Sequence, residues 1–166
     1  MNKRISFVLF LVFLNIGLDQ FTKHLVRAKV IPGSRTEIVG EILQLMNVEN
    51  SGAFLGMGSD SHPTIKLIFL IILPVIVLGV VLYYLMTNKD LDNLSIVAFS
   101  CVAGGGIANL YDRFIYGSVT DFLFMDFGFV QTGIFNVADL SVTTGMILLI
   151  ITSYKQKEKH NENEKV

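Results

Sequence analysis

Two carboxylates stand apart in this 166-residue chain. No basic residue lies within four positions of Asp121 or Asp139. Each follows a β-branched or small pair, Val119-Thr120 and Val137-Ala138, and each sits near the boundary of an apolar run. Two unpaired carboxylates at such a boundary cannot comfortably both ionise. If they face each other they share one proton, as in an aspartic-protease dyad. One then takes a proton from water while the other, protonated, polarises a carbonyl. Asp126 is the competing carboxylate, but its Phe-rich surroundings read as a loop surface.

The rest of the inventory narrows the chemistry. His24, His62 and His160 are the three histidines, and no His-Glu-x-x-His is present, which argues against a zinc protease. No Gly-x-Ser-x-Gly occurs, and no histidine lies in the later apolar segments to activate a serine. A Gly-x-Gly-Asp intramembrane motif is also missing. The single cysteine, Cys101, excludes an internal disulfide and a cysteine-cluster metal site. Neither a metal nor a cofactor is expected. A net charge of -1 without a basic stripe argues against nucleic-acid binding.

The elements that must hold these residues are membrane helices. Hydrophobic residues make up 52% of the chain and charged residues 16%, against roughly 25% charged in a soluble domain. Residues 155–166 alone carry seven charged side chains, so the preceding part is poorer still. Residues 67–88 hold no charge, and ~33 Å of helix from such a run crosses a bilayer core. Residues 93–111 form a second charge-free window. Residues 5–18 and 140–154 are shorter, and each reaches span length only by continuing through polar neighbours: Asp19 and Lys23 at one end, Asp139 at the other. Ionisable groups at membrane depth are costly and mark function. Lys3 and Arg4 ahead of the first window resemble a secretory signal, but no small-x-small cleavage site follows, so the segment reads as a retained helix.

Four spans put both termini on one side. The basic residues outside helices are biased seven to four toward that side, which predicts cytoplasmic termini. The outer ends of helices 1, 3 and 4 then carry nearly every intramembrane polar group. Asn15, Asp19 and Lys23 repeat at four-residue steps on one face. Asn109, Asp112 and Arg113 lie on one or adjacent faces of helix 3, and Asn136, Asp139 and Thr143 follow the same spacing on helix 4. Helix 2 contributes none and carries Pro74, which predicts a kink. The outer loops add Asn50 and Asp121.

Plainer readings exist for several of these residues. Asp19 with Lys23, and Asp112 with Arg113, equally fit neutralised pairs that hold helices together. Gly104-Gly105-Gly106 reads as a close helix-packing patch, because a phosphate loop needs a helix N-terminus in water. Cys101 reads as a small core residue and Asn15 as an interhelical hydrogen bond. A small transporter or proton relay, and a structural subunit, are the competing function classes. Against the first, the cytoplasmic halves of the spans are nearly bare of polar groups; the second leaves Asp121 and Asp139 unexplained.

The organisation expected is a single transmembrane domain over residues 1–154 and a charged cytoplasmic tail over 155–166, to which no function is assigned. Within the outer segment, residues 28–63, two runs at 36–39 and 43–48 predict a small extracytoplasmic sheet between helices 1 and 2. A glycine-rich stretch at 52–58 follows. Residues 117–133 form a second outer segment, unusually apolar, expected to lie in the interface or to cover something. The fold class is thus all-α integral membrane, with four helices and that β-element.

Five blocks resemble a known family. They are Asp19-Gln20-Phe21-Thr22-Lys23; Asn50-Ser51-Gly52-Ala53-Phe54; Gly104-Gly105-Gly106-Ile107-Ala108-Asn109-Leu110-Tyr111-Asp112-Arg113; Val119-Thr120-Asp121-Phe122; and Phe135-Asn136-Val137-Ala138-Asp139. Singly each is weak; in this order, on four spans, the chain resembles the lipoprotein signal peptidases, also called signal peptidase II. The resemblance implies an aspartyl endopeptidase of the bacterial cytoplasmic membrane. Such enzymes remove the signal peptide of prolipoproteins just before a diacylglyceryl-modified cysteine. It implies Asp121 and Asp139 as the catalytic pair. Asn50, Gly52, Asn109, Arg113 and Asn136 would bind substrate or support the site, Asp19 and Lys23 would brace it, and Asp112 would be structural. Partners would be the lipidated precursors and the bilayer, with the enzyme a monomer. Ala108 stands where the family usually has glycine; the added methyl is expected to be tolerated.

Overall fold

The charge-free windows become helices, and the two short ones extend as their polar neighbours required. In the computed structural model, which describes residues 3–53 and 56–163, α1 covers Lys3–Lys29, α2 Pro63–Thr87, α3 Asn93–Tyr116 and α4 Val137–Asn163. All four are long and apolar enough to cross a membrane. Helix α1 runs straight through Asp19 and Lys23, and α4 begins just ahead of Asp139. Helix α4 also continues into the charged tail. Phe54 and Leu55 of the glycine-rich stretch, and Lys165 of the tail, lie outside the described residues.

Local sequence explains how the helices start, stop and bend. The Asp92 carboxylate caps α3 by accepting from Ser95 N at 3.0 Å. Gly117 ends the same helix at a φ of 74°, where a side chain would be strained. Pro74 lacks an N–H and crowds the carbonyl one turn back. The chain meets this with a π-helical stretch, Leu67–Ile72, just before the proline.

Helix α3 is the axis of the bundle, and its three glycines are the reason. A methyl at Gly104 would lie 2.7 Å from Asn15 Cβ of α1, one at Gly105 2.4 Å from the Ala138 carbonyl of α4, and one at Gly106 2.6 Å from Leu78 of α2. Three successive residues therefore admit three different helices at close range, as small residues do in membrane interiors. Gly145 of α4 makes the reverse approach, 2.6 Å from the Ala98 carbonyl. Ala108 is fully buried beside this patch, so its methyl is accommodated.

The bundle is polarised along its length. Near the end that carries the termini, Val8, Val12, Leu85, Ile96 and Ala103 form an apolar core. Arg4 ties α1 to the end of α2 through the carbonyls of Leu85, at 2.9 Å, and Asn88. The outward faces are apolar too: Phe10, Phe13, Phe21, Phe69 and Ile76 are each more than half exposed. Continuous apolar exterior of this kind suits hydrocarbon rather than water.

The small sheet is larger than expected. Strands β1 (Arg35–Val39) and β2 (Leu43–Asn50) form the predicted pair, but β3 (Val119–Met125) joins them in an antiparallel order β1-β2-β3. The sheet is thus not confined to the α1–α2 connection, and part of the 117–133 segment is a strand rather than a loop. Val119 to Phe122 are all buried, so the strand shows no apolar-polar alternation to reveal it. Val48 pairs with Asp121 and Asn50 with Val119, which stitches the two outer connections together. Beyond β3 a turn closes through an Asp126–Gln131 bridge and leaves Phe129 at its tip, 92% exposed.

Candidate active site

The start of α4 is built by a reciprocal cap. Asn136 Oδ1 accepts from Asp139 N at 2.9 Å, and Asp139 Oδ2 accepts from Asn136 N at 3.1 Å. This is a capping box with asparagine at the cap and aspartate three residues on. A third free donor of the first turn, Ala138 N, is taken at 2.8 Å by Asp19 Oδ1 of α1. The sequence Asn136-Val137-Ala138-Asp139 therefore fixes the Asp139 carboxylate by the helix that it opens.

Asp121 reaches the same place from β3. Its two oxygens accept from Asn136 Nδ2 at 2.6 Å and from Asn50 Nδ2 at 2.9 Å. It is 4% exposed. Burial pushes its pKa up to about 6, opposed by the Asn50 hydrogen bond, while the Asp139 charge raises it further. Asn136 thus touches both carboxylates, one through its amide and one through its backbone N–H. Asn109 of α3 donates to Asp139 Oδ1 at 2.8 Å and accepts from Asn136 Nδ2 at 3.2 Å.

Beneath these residues lies a buried ionic network. Lys23 Nζ is fully buried and meets three acceptors: Asp19 at 2.7 Å, Asp112 at 2.6 Å and Asn109 Oδ1 at 2.8 Å. Arg27 pairs with the other Asp112 oxygen at 3.2 Å, donates to Thr120 Oγ1 at 2.7 Å and stacks on Tyr116 at 4.0 Å. Two carboxylates, Asp19 and Asp112, thus face two cations, Lys23 and Arg27. Gln20 bridges Asp19 at 3.2 Å and Asp112 at 3.0 Å.

Arg113 is not the partner of Asp112. Neighbouring residues on a helix point about 100° apart, and the two side chains diverge. Asp112 turns to α1, whereas Arg113 donates to the Gly52 carbonyl at 3.1 Å and to the Asn109 carbonyl at 3.4 Å. Its Nε has no hydrogen-bond partner. Gly52 is held in turn by Asn50 Oδ1 at 2.9 Å, and a methyl on it would lie 2.6 Å from the Met57 carbonyl. The expected residues Asp19, Lys23, Asn50, Gly52, Asn109, Arg113, Asp121, Asn136 and Asp139 therefore meet in one cluster.

Space opens on both sides of the carboxylates. A cavity of about 30 Å³ is lined by Asn50, Asn109, Arg113, Asp121 and Asp139, enough for a single water. A larger one of about 320 Å³ runs from Asp121 along β2 and Phe124. An apolar hollow of about 230 Å³ flanks Asp139 beside Phe135, Leu140 and Thr143. Among the described residues, no group of three or more His, Cys, Asp or Glu side chains is placed to hold a metal.

Comparison with known proteins now decides the family. Residues 11–155 match the family model for signal peptidase (SPase) II. The chain belongs to the signal peptidase II family. It is similar to the lipoprotein signal peptidase of Sulfurihydrogenibium sp., 37% identical over 90% of this chain and 92% of that one. It is also similar to the lipoprotein signal peptidase of Streptococcus pyogenes serotype M5, 34% identical over 97% of this chain and 100% of the relative. A solved bacterial membrane enzyme, determined by the in meso method at 2.3 Å, superposes with a TM-score of 0.83 at 27% identity, covering 93% of this chain and 92% of that one. Membership makes this protein a peptidase of a bacterial membrane, with four helices that can span it.

The part that several further residues play in this network was not read from the sequence. Arg27, Gln20, Thr120 and Glu49 all belong to it, Glu49 by accepting from Thr120 Oγ1 at 2.7 Å. A signal for Arg27 was present: it extends the Asn15, Asp19, Lys23 ladder by one more four-residue step. Thr120 stood in a family block without a role, and nothing in the sequence pointed to its meeting with Glu49, which depends on the β2–β3 register.

Proposed function

We propose that this peptidase is an aspartic endopeptidase that removes the signal peptide from lipoprotein precursors, cutting before the diacylglyceryl-modified cysteine. It acts at the outer face of the bacterial cytoplasmic membrane, as a monomer with both termini cytoplasmic. The observation that carries this reading is the double grip of Asn136 on Asp121 and Asp139 beside a cavity of one water's size.

The chemistry follows from the placement. Asp121, the buried carboxyl with the raised pKa, holds the proton and donates it to the scissile carbonyl oxygen. Ionised Asp139 takes a proton from the water, whose oxygen adds to the carbonyl carbon. The tetrahedral diol then collapses. Its C–N bond breaks, the leaving nitrogen takes the proton from Asp139, and a diol proton returns to Asp121. Arg113, Asn50 and Gly52 orient the substrate backbone, and Asn109 holds Asp139. Asp19 and Lys23 brace the start of α4 from below. The apolar hollow beside Leu140 lets an acyl-bearing substrate enter from the lipid.

A transport path needs polar groups across the whole thickness, and the apolar core around Val8, Leu85 and Ile96 gives that reading no support. The test is direct. Purified protein is incubated with a diacylglyceryl-modified precursor, and the released signal peptide is followed. Asp121→Asn and Asp139→Asn are expected to insert normally and release none. Full activity in either variant would remove the dyad.

A further inference from the structure

Successive side chains of a strand point to opposite faces. Asp121 therefore offers its carboxylate to Asn136 and Asn50 on one face of β3, while Thr120, the residue before it, turns the other way. Thr120 is fully buried. Its hydroxyl accepts from Arg27 Nε at 2.7 Å and donates to Glu49 Oε1 at 2.7 Å. These directions are forced, because a guanidinium only donates and the one hydroxyl proton is left for Glu49. Glu49 stands opposite Thr120 in the strand pairing, and its second oxygen accepts from Ser118. Arg27 is fixed in turn by Asp112 at 3.2 Å and by the Tyr116 ring at 4.0 Å. From Asp112 the contacts run on through Lys23 at 2.6 Å and Asn109 at 2.8 Å to Asp139 at 2.8 Å.

We infer that Arg27 is a positioning residue of the carboxylate pair: through Thr120 it fixes β3, and with it Asp121, against the network that holds Asp139. The inference rests on the proposed peptidase reading and adds what sets the spacing of its two carboxylates. They are joined twice. Asn136 joins them directly. The longer path runs from Thr120 through Arg27, Asp112, Lys23 and Asn109 to Asp139. One link leaves two groups free to rock about it, whereas two links close a ring. Arg27 is the member that closes this ring across the junction of helix bundle and sheet. Neither Arg27 nor Thr120 lines the cavity between the carboxylates, so both act through Asp121. Arginine suits the task, since its rigid planar fork can meet a hydroxyl, a carboxylate and an aromatic face together.

The test uses the full chain in vesicles and one diacylglyceryl-modified precursor, with kcat and KM measured separately. Thr120→Val keeps the shape and removes the hydroxyl; Arg27→Lys keeps the charge and removes the fork. Each is expected to lower kcat about ten- to a hundredfold, the effect of a misplaced reacting group, with KM unchanged. Thr120→Ser restores the hydroxyl and is expected to recover most of the loss. The double variant Arg27→Lys/Thr120→Val is expected to be no slower than the slower single one, because both changes remove the same bond. Wild-type kcat in the two single variants overturns the inference. So does a loss carried by KM, an equal loss in Thr120→Ser and Thr120→Val, or losses that multiply in the double variant. Should Thr120→Val fail to insert and fold, Arg27→Lys decides by the same split of kcat from KM. Wild-type protein that cleaves no precursor refutes the peptidase reading itself, whereas cleavage that these variants leave untouched refutes the positioning alone.

Discussion

Asn136 and Asp139 cap each other, with Asn136 Oδ1 on Asp139 N at 2.9 Å and Asp139 Oδ2 on Asn136 N at 3.1 Å. The same asparagine spends its amide on Asp121 at 2.6 Å. Folding and chemistry therefore use different atoms of one residue, and substitution separates them. Asn136→Ser keeps a cap acceptor and loses the amide; Asn136→Ala loses both. Both variants are expected to lose most cleavage, while only Asn136→Ala loses about 1 kcal/mol of stability. Thermal unfolding in micelles beside an activity assay distinguishes the two.

The pH profile follows from Asp121. If its protonated form donates to the carbonyl, kcat/KM falls as pH rises through about 6. The Asn50 hydrogen bond favours the charged carboxylate. Its removal therefore raises the Asp121 pKa, and in Asn50→Ala the falling limb moves to higher pH on a lower overall rate. A limb that stays in place or moves to lower pH in this variant assigns the titration to another group.

Lys23 is fully buried between two carboxylates. Lys23→Met leaves Asp19 and Asp112 without their common cation and is expected to cost about 3–5 kcal/mol. Adding Asp19→Asn removes one uncompensated charge and recovers part of the loss. Equal unfolding midpoints for the single and double variants would show that the carboxylates are relieved in another way.

Gly105 and Gly106 make a paired test of the packing. A methyl at Gly105 meets the Ala138 backbone carbonyl at 2.4 Å, whereas one at Gly106 meets the Leu78 side-chain end at 2.6 Å. Backbone cannot step aside and a leucine terminus can. Gly105→Ala is expected to cost about 1–3 kcal/mol and most of the cleavage, because Ala138 precedes Asp139. Gly106→Ala is expected to change both much less. Similar unfolding temperatures and rates for the two would contradict the assignment of faces.

The spans were legible because hydrocarbon tolerates so few charges that their gaps mark the helices. The meeting of Asp19, Lys23, Asn109, Asn136 and Asp139 was legible because four spans bring these helix ends to one side. Strand β3 was not, because Val119 to Phe122 are all buried and their partner, β2, lies some seventy residues earlier. The adjacent pair Asp112 and Arg113 misled for a geometric reason: closeness along a helix is not closeness across it. Distances that depend on strand register, such as Thr120 to Glu49, leave no periodic trace at all.

The four-residue spacing of Asp19 and Lys23 also bears on biogenesis. Helix α1 is made before the helices that supply Asp112 and Asn109, yet its buried ammonium already has a carboxylate on the same helix, at 2.7 Å in the finished fold. The first helix can therefore leave the translocation machinery as a self-neutralised unit and wait in lipid. When α3 arrives, Asp112 finds Lys23 and Arg27 already aligned on α1, so the order of synthesis leaves the Lys23 ammonium matched at each stage.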